Sequence, residues 1–139
     1  MKRIPILDTE ILFAFNPKDK HYKHAKKLLN KIKNGEIKNV YNTDSALLEF
    51  ITVLRSRGFG LNQIRILLTS LDVIITRYGL KEALTLNLTT LLKTLELMKT
   101  GATFFDALLA ASSKKIDNTI ISDDKIYDTL NINRIAFKE

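Results

Sequence analysis

The sequence predicts an α/β protein with a mainly parallel sheet and helices on both of its faces. Short apolar or β-branched runs alternate with segments of helical periodicity, an alternation typical of parallel sheets. The 139 residues are the size of one ordinary domain. With only five glycines and two prolines, the chain has no evident linker or repeat. We therefore expect one domain over residues 1–139.

Five short runs are predicted to be strands, at residues 4–7, 40–41, 73–76, 119–122 and 134–137. The first is apolar and ends at Asp8, and its Pro5 is tolerated only near the start of a strand. The third is selected because its residues are β-branched and precede Gly79. Open α/β sheets bind ligands at the carboxyl ends of strands, which directs attention to Asp8 and to Asp123-Asp124.

Helices are predicted at residues 11–15, 18–33, 46–57, 61–71, 84–98, 103–115 and 124–130. The second is basic with one apolar face and ends at Asn34-Gly35, and the third follows the N-cap types Thr43-Asp44-Ser45. The fifth carries leucines at alternating spacings of four and three residues. That stripe predicts packing in the core or in a dimer.

Composition and charge exclude several function classes. The chain has no cysteine, which excludes a disulfide framework, a thiol nucleophile and cysteine-ligated zinc or iron–sulfur sites, and agrees with a cytoplasmic location. The 22 basic and 15 acidic residues give a net charge of +7, which favours a polyanionic partner such as nucleic acid or a phospholipid surface. No run approaches the roughly 18 apolar residues of a membrane span, so no membrane-spanning segment is expected.

Two acids lie on helix faces that should be buried. Glu49 is the single charge in the apolar segment 46–54, where an unpaired carboxylate needs a cation, a hydrogen-bonding cage or a metal. Its alternatives are an exposed helix edge or an ion pair with an arginine. Asp106 precedes the apolar residues Leu109 and Ala110 on one helical stripe. Thr103-x-x-Asp106 also matches a capping box, which is an ordinary structural explanation.

Asp8 and Asp124 each follow a predicted strand, where aspartate is also an ordinary turn residue. These two acids become informative together with Glu49 and Asp106. Two of the four lie at strand ends and two on apolar helix faces of a protein with a net charge of +7. Because oxygen ligands without cysteine suit a hard ion, the set predicts Mg²⁺ or Mn²⁺.

The residues around these acids resemble the motifs of the PIN-domain ribonucleases, a family that includes VapC-type toxins and several RNA-processing nucleases. The resemblance covers essentially the whole chain. Its four motifs match in order and spacing: Ile6-Leu7-Asp8-Thr9, Ser45-Ala46-Leu47-Leu48-Glu49, Phe104-Phe105-Asp106-Ala107-Leu108-Leu109-Ala110-Ala111 and Ile121-Ser122-Asp123-Asp124-Lys125. Glu10 stands where the family usually has Asn. The family pattern Ser122-x-Asp124 selects Asp124 as the fourth acid and leaves Asp123 as an extra ligand candidate.

The resemblance implies a three-layer α/β/α sandwich and a divalent-metal endoribonuclease that hydrolyses RNA phosphodiesters. It implies that Asp8, Glu49, Asp106 and Asp124 are catalytic metal ligands. Thr9 and Ser122 are the implied supporting residues. One or two Mg²⁺ or Mn²⁺ ions then activate a water and neutralise the leaving oxygen. The resemblance further implies the toxin of a toxin–antitoxin pair, held by a small antitoxin, and a homodimer.

Basic residues are candidates for contacts with RNA. Lys18, Lys20 and Lys23 are placed to bind phosphates, although a solvated helix face explains the same lysines. A second group could contact RNA or acidic groups of an antitoxin, namely Arg55, Arg57, Arg65 and Arg77 with Tyr78. His21 and His24 lack a third nearby ligand, which disfavours zinc.

Three other functions stay open at this point. One is an RNA-maturation nuclease on the same fold, and another is a non-catalytic member that binds RNA or a partner. The third is a phosphatase of the haloacid-dehalogenase type. That class needs Asp-x-Asp followed by Thr or Val, but Glu10 and Leu12 stand at those positions and disfavour it.

Overall fold

The computed structural model describes residues 3–138. Its centre is a five-stranded, all-parallel sheet with the order β3-β2-β1-β4-β5. The strands are β1 (Ile6–Leu7), β2 (Tyr41–Thr43), β3 (Lys81–Ala83), β4 (Thr119–Ile121) and β5 (Asn133–Ile135). β1 and β4 lie side by side in the middle and are fully buried, as parallel strands covered on both faces are.

Seven helices lie within the part of the chain that the structure describes. They are α1 (Thr9–Ala14), α2 (Tyr22–Lys33), α3 (Asp44–Ser56), α4 (Leu61–Tyr78), α5 (Leu88–Met98), α6 (Phe104–Lys114) and α7 (Ile126–Thr129). Sheet and helices form the three-layer α/β/α arrangement of the predicted fold class. α6 is the most buried helix, because alanines and serines over residues 107–113 let it lie close to α3, α5 and α7.

The strand order creates a switch point beside β1. From β1 the chain moves to β2 and β3 on one side of the sheet, and it later adds β4 and β5 on the other side. The carboxyl ends of β1 and β4 therefore flank the crevice in which open α/β sheets bind ligands. Asp8 follows β1 directly, and Ser122 follows β4.

The predicted strand over residues 73–76 is wrong, because these residues lie inside α4. Leu71 and Ile75, one helical turn apart, are both buried, so packing of the helix outweighs the β-branched preference. The missing strand is β3, whose Lys-Glu-Ala sequence lies at the sheet edge and has no apolar pattern. Two helices begin later than predicted, α2 at Tyr22 and α5 at Leu88.

A buried network of hydroxyls joins α3 to α6. Ser45 Oγ lies 2.7 Å from Ser112 Oγ and 3.2 Å from Thr85 Oγ1. Asp44 accepts the N–H groups of Thr85 and Leu86 at 2.9 and 3.1 Å. Burial alone would raise the pKa of Asp44, but these hydrogen bonds outweigh it and lower the pKa. The network fixes the relative positions of the two helices that carry the second and third acidic motifs.

Candidate active site

Asp8 ends β1 and caps α1, and only 8% of its surface is exposed. Its Oδ1 accepts the N–H of Thr9 at 2.8 Å, and its Oδ2 accepts the hydroxyl of Ser122 at 2.5 Å. The main-chain N–H of Asp8 donates to the carbonyl oxygen of Ile121 at 3.1 Å. Side chain and main chain therefore both join the end of β1 to the end of β4.

Within the described part of the chain, the charge of Asp8 has no ion-pair partner. Burial raises its pKa from the ordinary value of 3.8 to about 7. The hydrogen bond from Ser122 opposes this shift, whereas the negative charges of Glu10 and Glu49 add to it. No lysine or arginine within residues 3–138 forms an ion pair with Asp8. A bound cation would therefore stabilise the ionised carboxylate.

Glu49 on α3 and Asp106 on α6 are both half-buried. Burial raises the pKa of each carboxyl, and the charge of Asp106 adds to the shift of Glu49. Asp124 in turn adds to the shift of Asp106. Neither Glu49 nor Asp106 has an ion-pair partner among the described residues, so the arginine pair considered for Glu49 is absent there. α6 is capped by Thr103, whose Oγ1 accepts the Asp106 N–H at 3.3 Å.

The buried hydroxyl of Thr9 lies near the Glu49 carboxylate. This hydroxyl lowers the pKa of Glu49, which places it near that carboxylate. It does not reach full hydrogen-bond geometry, and Thr9 Oγ1 is a buried polar atom without a partner in residues 3–138. A buried hydroxyl that lacks a partner beside carboxylates leaves an oxygen free for a ligand.

Asp123 and Asp124, in the segment between β4 and α7, have different hydrogen-bond partners. The N–H of Asp124 donates to Ser122 Oγ at 3.0 Å, so Ser122 links Asp124 to Asp8. Asp123 instead accepts the N–H groups of Phe137 and Lys138 at 2.8 and 3.3 Å. Asp124 thus belongs to the acidic region, whereas the Asp123 carboxylate holds the segment after β5.

Glu10 ties the first motif to the fourth. Its Oε1 accepts the main-chain N–H of Asp123 at 3.2 Å. Glu10 is exposed on α1, and its negative charge helps to raise the pKa of Asp8. The acid at this position therefore has a defined contact within the site.

Tyr127 is a site residue that the sequence patterns did not reveal. It is fully buried on α7, and its hydroxyl donates to Asp8 Oδ1 at 3.3 Å. Burial, together with the charges of Asp8, Asp106, Glu49 and Asp124, holds the pKa of Tyr127 far above its ordinary value. Among the described residues, Asp8 is the predicted acid in hydrogen-bond contact with this phenol. The sequence offered little signal, because Tyr127 lies among the mostly polar residues Lys125, Asp128 and Thr129.

Within residues 3–138, no three His, Asp or Glu side chains lie close enough together to bind one metal ion in their present positions. The donors nevertheless fit Mg²⁺ or Mn²⁺ in kind, since they are carboxylate and hydroxyl oxygens. Mg²⁺ usually takes only one or two protein carboxylates and completes its coordination with water and phosphate oxygens. The unpaired Asp8 carboxylate and the unpartnered Thr9 hydroxyl are donors of this kind.

A cavity of about 450 Å³ lies among α1, α2, α3 and α4. Its floor is apolar and includes Phe50 and Leu54, which follow Glu49 along α3. Its rim carries four cations, namely Lys18, Lys26, Arg57 and Arg77. Of the three lysines predicted to contact phosphates, Lys18 lines this cavity, whereas Lys20 and Lys23 are exposed outside it.

Two of the four rim cations, Lys26 and Arg57, contact aromatic rings. Lys26 Nζ donates to the hydroxyl of Tyr78 at 2.9 Å, and Arg57 lies 5.2 Å from the ring centre of Phe13. Within the described residues, no rim cation forms an ion pair with an acid. Asp19 also lines the cavity, so the rim offers a net positive charge above an apolar floor.

The leucine stripe predicted from the sequence lies at the surface. Its leucines Leu84, Leu88, Leu91 and Leu95 are 90%, 79%, 37% and 59% exposed, and Leu92 beside them is 69% exposed. The buried side of α5 is formed instead by Thr90, Thr94 and Leu97. These exposed leucines, called the leucine face below, are available to a partner.

A comparison with models of protein families identifies the family of this chain. Residues 6–133 match the family model described as the PIN domain. The chain belongs to the PIN domain family. This PIN domain carries the four predicted acidic motifs within the matched span. PIN domains are generally nucleases, and they generally use divalent metal ions.

A solved structure confirms the fold of this PIN domain. The chain is similar to one chain in the crystal structure of VapBC2 from Rickettsia felis, which was solved with VapBC2 bound to a DNA fragment from its promoter. The TM-score is 0.61 at 15% sequence identity, over 94% of this chain and 96% of that chain. A sequence comparison with curated proteins gives no match. Within residues 3–138, no helix is both long and apolar enough to cross a membrane.

Proposed function

We propose that this PIN-domain protein is a divalent-metal-dependent endoribonuclease that hydrolyses RNA phosphodiester bonds. Asp8, Glu49, Asp106 and Asp124 are its catalytic metal ligands in this proposal. The observation that carries it is the buried Asp8 carboxylate, which Ser122 links to Asp124 and which has no ion-pair partner among the described residues. The site also flanks the switch point of the sheet, and the net charge of +7 attracts RNA.

The residues of the site have separate tasks in this mechanism. Ser122 and Thr9 N–H hold the Asp8 carboxylate in one orientation, and Ser122 also holds the main chain of Asp124. Asp8 must lose its proton before it binds a cation, because burial raises its pKa to about 7. A bound Mg²⁺ or Mn²⁺ ion supplies charge neutralisation at the scissile phosphate and activates a water. Lys18 at the cavity rim is placed to contact the RNA backbone.

Incubation with labelled single-stranded RNAs, with Mg²⁺ or Mn²⁺ and with EDTA, tests the nuclease. We expect cleavage that requires the metal and falls by about 100-fold or more in Asp8→Asn and Asp106→Asn. Asp72→Asn is the matched control, because Asp72 is an exposed acid on α4 outside the site. Cleavage that needs metal but survives both site substitutions would contradict the assignment. Absence of cleavage on every RNA would favour the non-catalytic alternative.

We further propose that the protein is the toxin of a VapBC-type pair in the cytoplasm. The cation-rimmed cavity supports this proposal, because an acidic segment with apolar side chains complements its rim and floor. The matched Rickettsia felis complex is itself a VapBC assembly. The alternative, an RNA-processing nuclease, does not require such a partner.

The leucine face supports a homodimer. Two like copies with a net charge of +7 repel each other over most of their surfaces. The leucine face is an exception, since it is apolar and its nearby ion pair, Lys93 with Glu96, is neutral. A second copy of the chain is therefore the occupant we propose for this face.

A further inference from the structure

The surroundings of the Asp8 carboxylate limit how it can bind a ligand. An ionised carboxylate offers about four lone-pair sites, two on each oxygen. On Oδ1, one site receives the Thr9 N–H at 2.8 Å and the other faces the Tyr127 hydroxyl at 3.3 Å. On Oδ2, one site receives the Ser122 hydroxyl at 2.5 Å. A single site, on Oδ2, is left without a partner.

The Tyr127 hydroxyl occupies one side of Oδ1 through its hydrogen bond. Mg²⁺ lies roughly 2.0–2.1 Å from its oxygen ligands, and Ca²⁺ lies roughly 2.3–2.6 Å away. For a cation to bind Oδ1 on the side of Tyr127, the hydroxyl 3.3 Å away would have to give up its hydrogen bond to that oxygen. Tyr127 is fully buried on α7, and its hydroxyl has no other hydrogen-bond partner within residues 3–138. The phenol is therefore held in place by the core around its ring.

We propose that Tyr127 is a positioning residue that restricts Asp8 to one-oxygen coordination through Oδ2 and so selects Mg²⁺ or Mn²⁺ over Ca²⁺. This inference rests on the proposed role of Asp8 as a metal ligand. Ca²⁺ takes six to eight oxygens and often binds both oxygens of a carboxylate. Mg²⁺ is bound through one or two carboxylates in a strict octahedron. A carboxylate whose Oδ1 is already hydrogen-bonded therefore suits Mg²⁺ better than Ca²⁺.

Tyr127→Phe tests the proposal, because it removes the hydroxyl and keeps the buried ring. Binding of Mg²⁺, Mn²⁺ and Ca²⁺ to the whole protein is measured by isothermal titration calorimetry, without RNA. We expect the ratio of Ca²⁺ to Mg²⁺ affinity to rise by about 10-fold, since a freed Oδ1 allows two-oxygen binding. Tyr78→Phe is the matched control, because its phenol contacts Lys26 away from the acids. It should leave the ratio unchanged.

Two outcomes separate this inference from the proposed function. An unchanged ratio in folded Tyr127→Phe, while Asp8→Asn weakens binding of all three ions, would overturn the role of Tyr127 alone. Unchanged binding in Asp8→Asn would overturn Asp8 as a ligand and the inference with it. A crystal structure of the wild type with Ca²⁺ tests the same point without a variant. Coordination through both oxygens of Asp8 in that structure would contradict the proposal.

Discussion

Ser122 Oγ lies 2.5 Å from Asp8 Oδ2, although the two residues are 114 positions apart in the chain. The distance is typical of a charge-assisted O–H···O⁻ hydrogen bond. It connects the carboxyl ends of the two central strands at the switch point of the sheet. The most buried acid of the site is therefore oriented by the end of a neighbouring strand as well as by its own helix.

Removal of this hydroxyl should weaken the ionised form of Asp8. We expect Ser122→Ala to lower the free energy of unfolding by about 1.5–3 kcal/mol at pH 8, and by less at pH 5, where Asp8 is protonated. Its affinity for Mn²⁺ should fall by about 10- to 100-fold. Ser113→Ala is the matched control, since Ser113 is equally buried but donates to the carbonyl of Thr119 at 3.2 Å. Equal losses of Mn²⁺ affinity in both variants would refute the orienting role of Ser122.

The raised pKa of Asp8 makes the metal-free protein less stable as the pH rises. Between pH 3.8 and about 7 the folded chain keeps a proton on Asp8 that the unfolded chain loses, so stability falls over this range and is level above it. Asp8→Asn has no such proton to lose. In EDTA at pH 8 we expect it to be more stable than the wild type by roughly 2–4 kcal/mol, and nearly equal at pH 4. Urea unfolding at both pH values measures this difference. A difference that does not depend on pH would contradict the burial of an unpaired charge at Asp8.

Substitution in the leucine face should change assembly without changing the fold. Leu88→Glu and Leu92→Glu replace side chains that are 79% and 69% exposed, so the monomer should lose less than about 0.5 kcal/mol. We expect both variants to sediment as monomers at concentrations where the wild type is a dimer. Leu61→Glu, at a position 75% exposed on α4, should leave the dimer intact. A wild type that sediments as a monomer at all concentrations would refute the dimer.

The cavity rim should govern binding of an antitoxin. The probe is the product of a small open reading frame adjacent to the gene, co-expressed with the toxin. We expect Arg57→Glu and Arg77→Glu to weaken this complex by about 10-fold or more and to restore growth arrest, because acidic groups then face acids. Lys23→Glu, an exposed lysine outside the cavity, should have little effect. Wild-type binding by both rim variants would refute this docking site, and the lack of any such reading frame would favour the RNA-processing alternative.

The acidic motifs could be located from the sequence because each breaks a strong local pattern. Glu49 interrupts an apolar helix, and Asp8 follows a buried strand. The contacts between motifs could not be foreseen in the same way. Tyr127 and Asp8 are 119 positions apart, and only the parallel pairing of β1 with β4 brings them together. Local periodicity carries no information about such pairs.

Strand assignment succeeded where burial and pattern agree and failed where they do not. β1 and β4 are fully buried apolar runs, which made them easy to identify. β3 is a polar edge strand, held by backbone pairing with β2 rather than by apolar packing. Residues 73–76 are β-branched, yet the buried stripe of α4 continues through them. In both failures, tertiary contacts outweighed the local preference of the chain.

The long sequence separation between Asp8 and its partners has a consequence for synthesis. Asp8 is made early, but Ser122 and Tyr127, which shape its carboxylate, are added more than a hundred residues later. A chain emerging from the ribosome therefore carries the first three acids without the strand and helix that complete their surroundings. The complete surroundings of Asp8 therefore cannot form on a growing polypeptide until Ser122 and Tyr127 have been added.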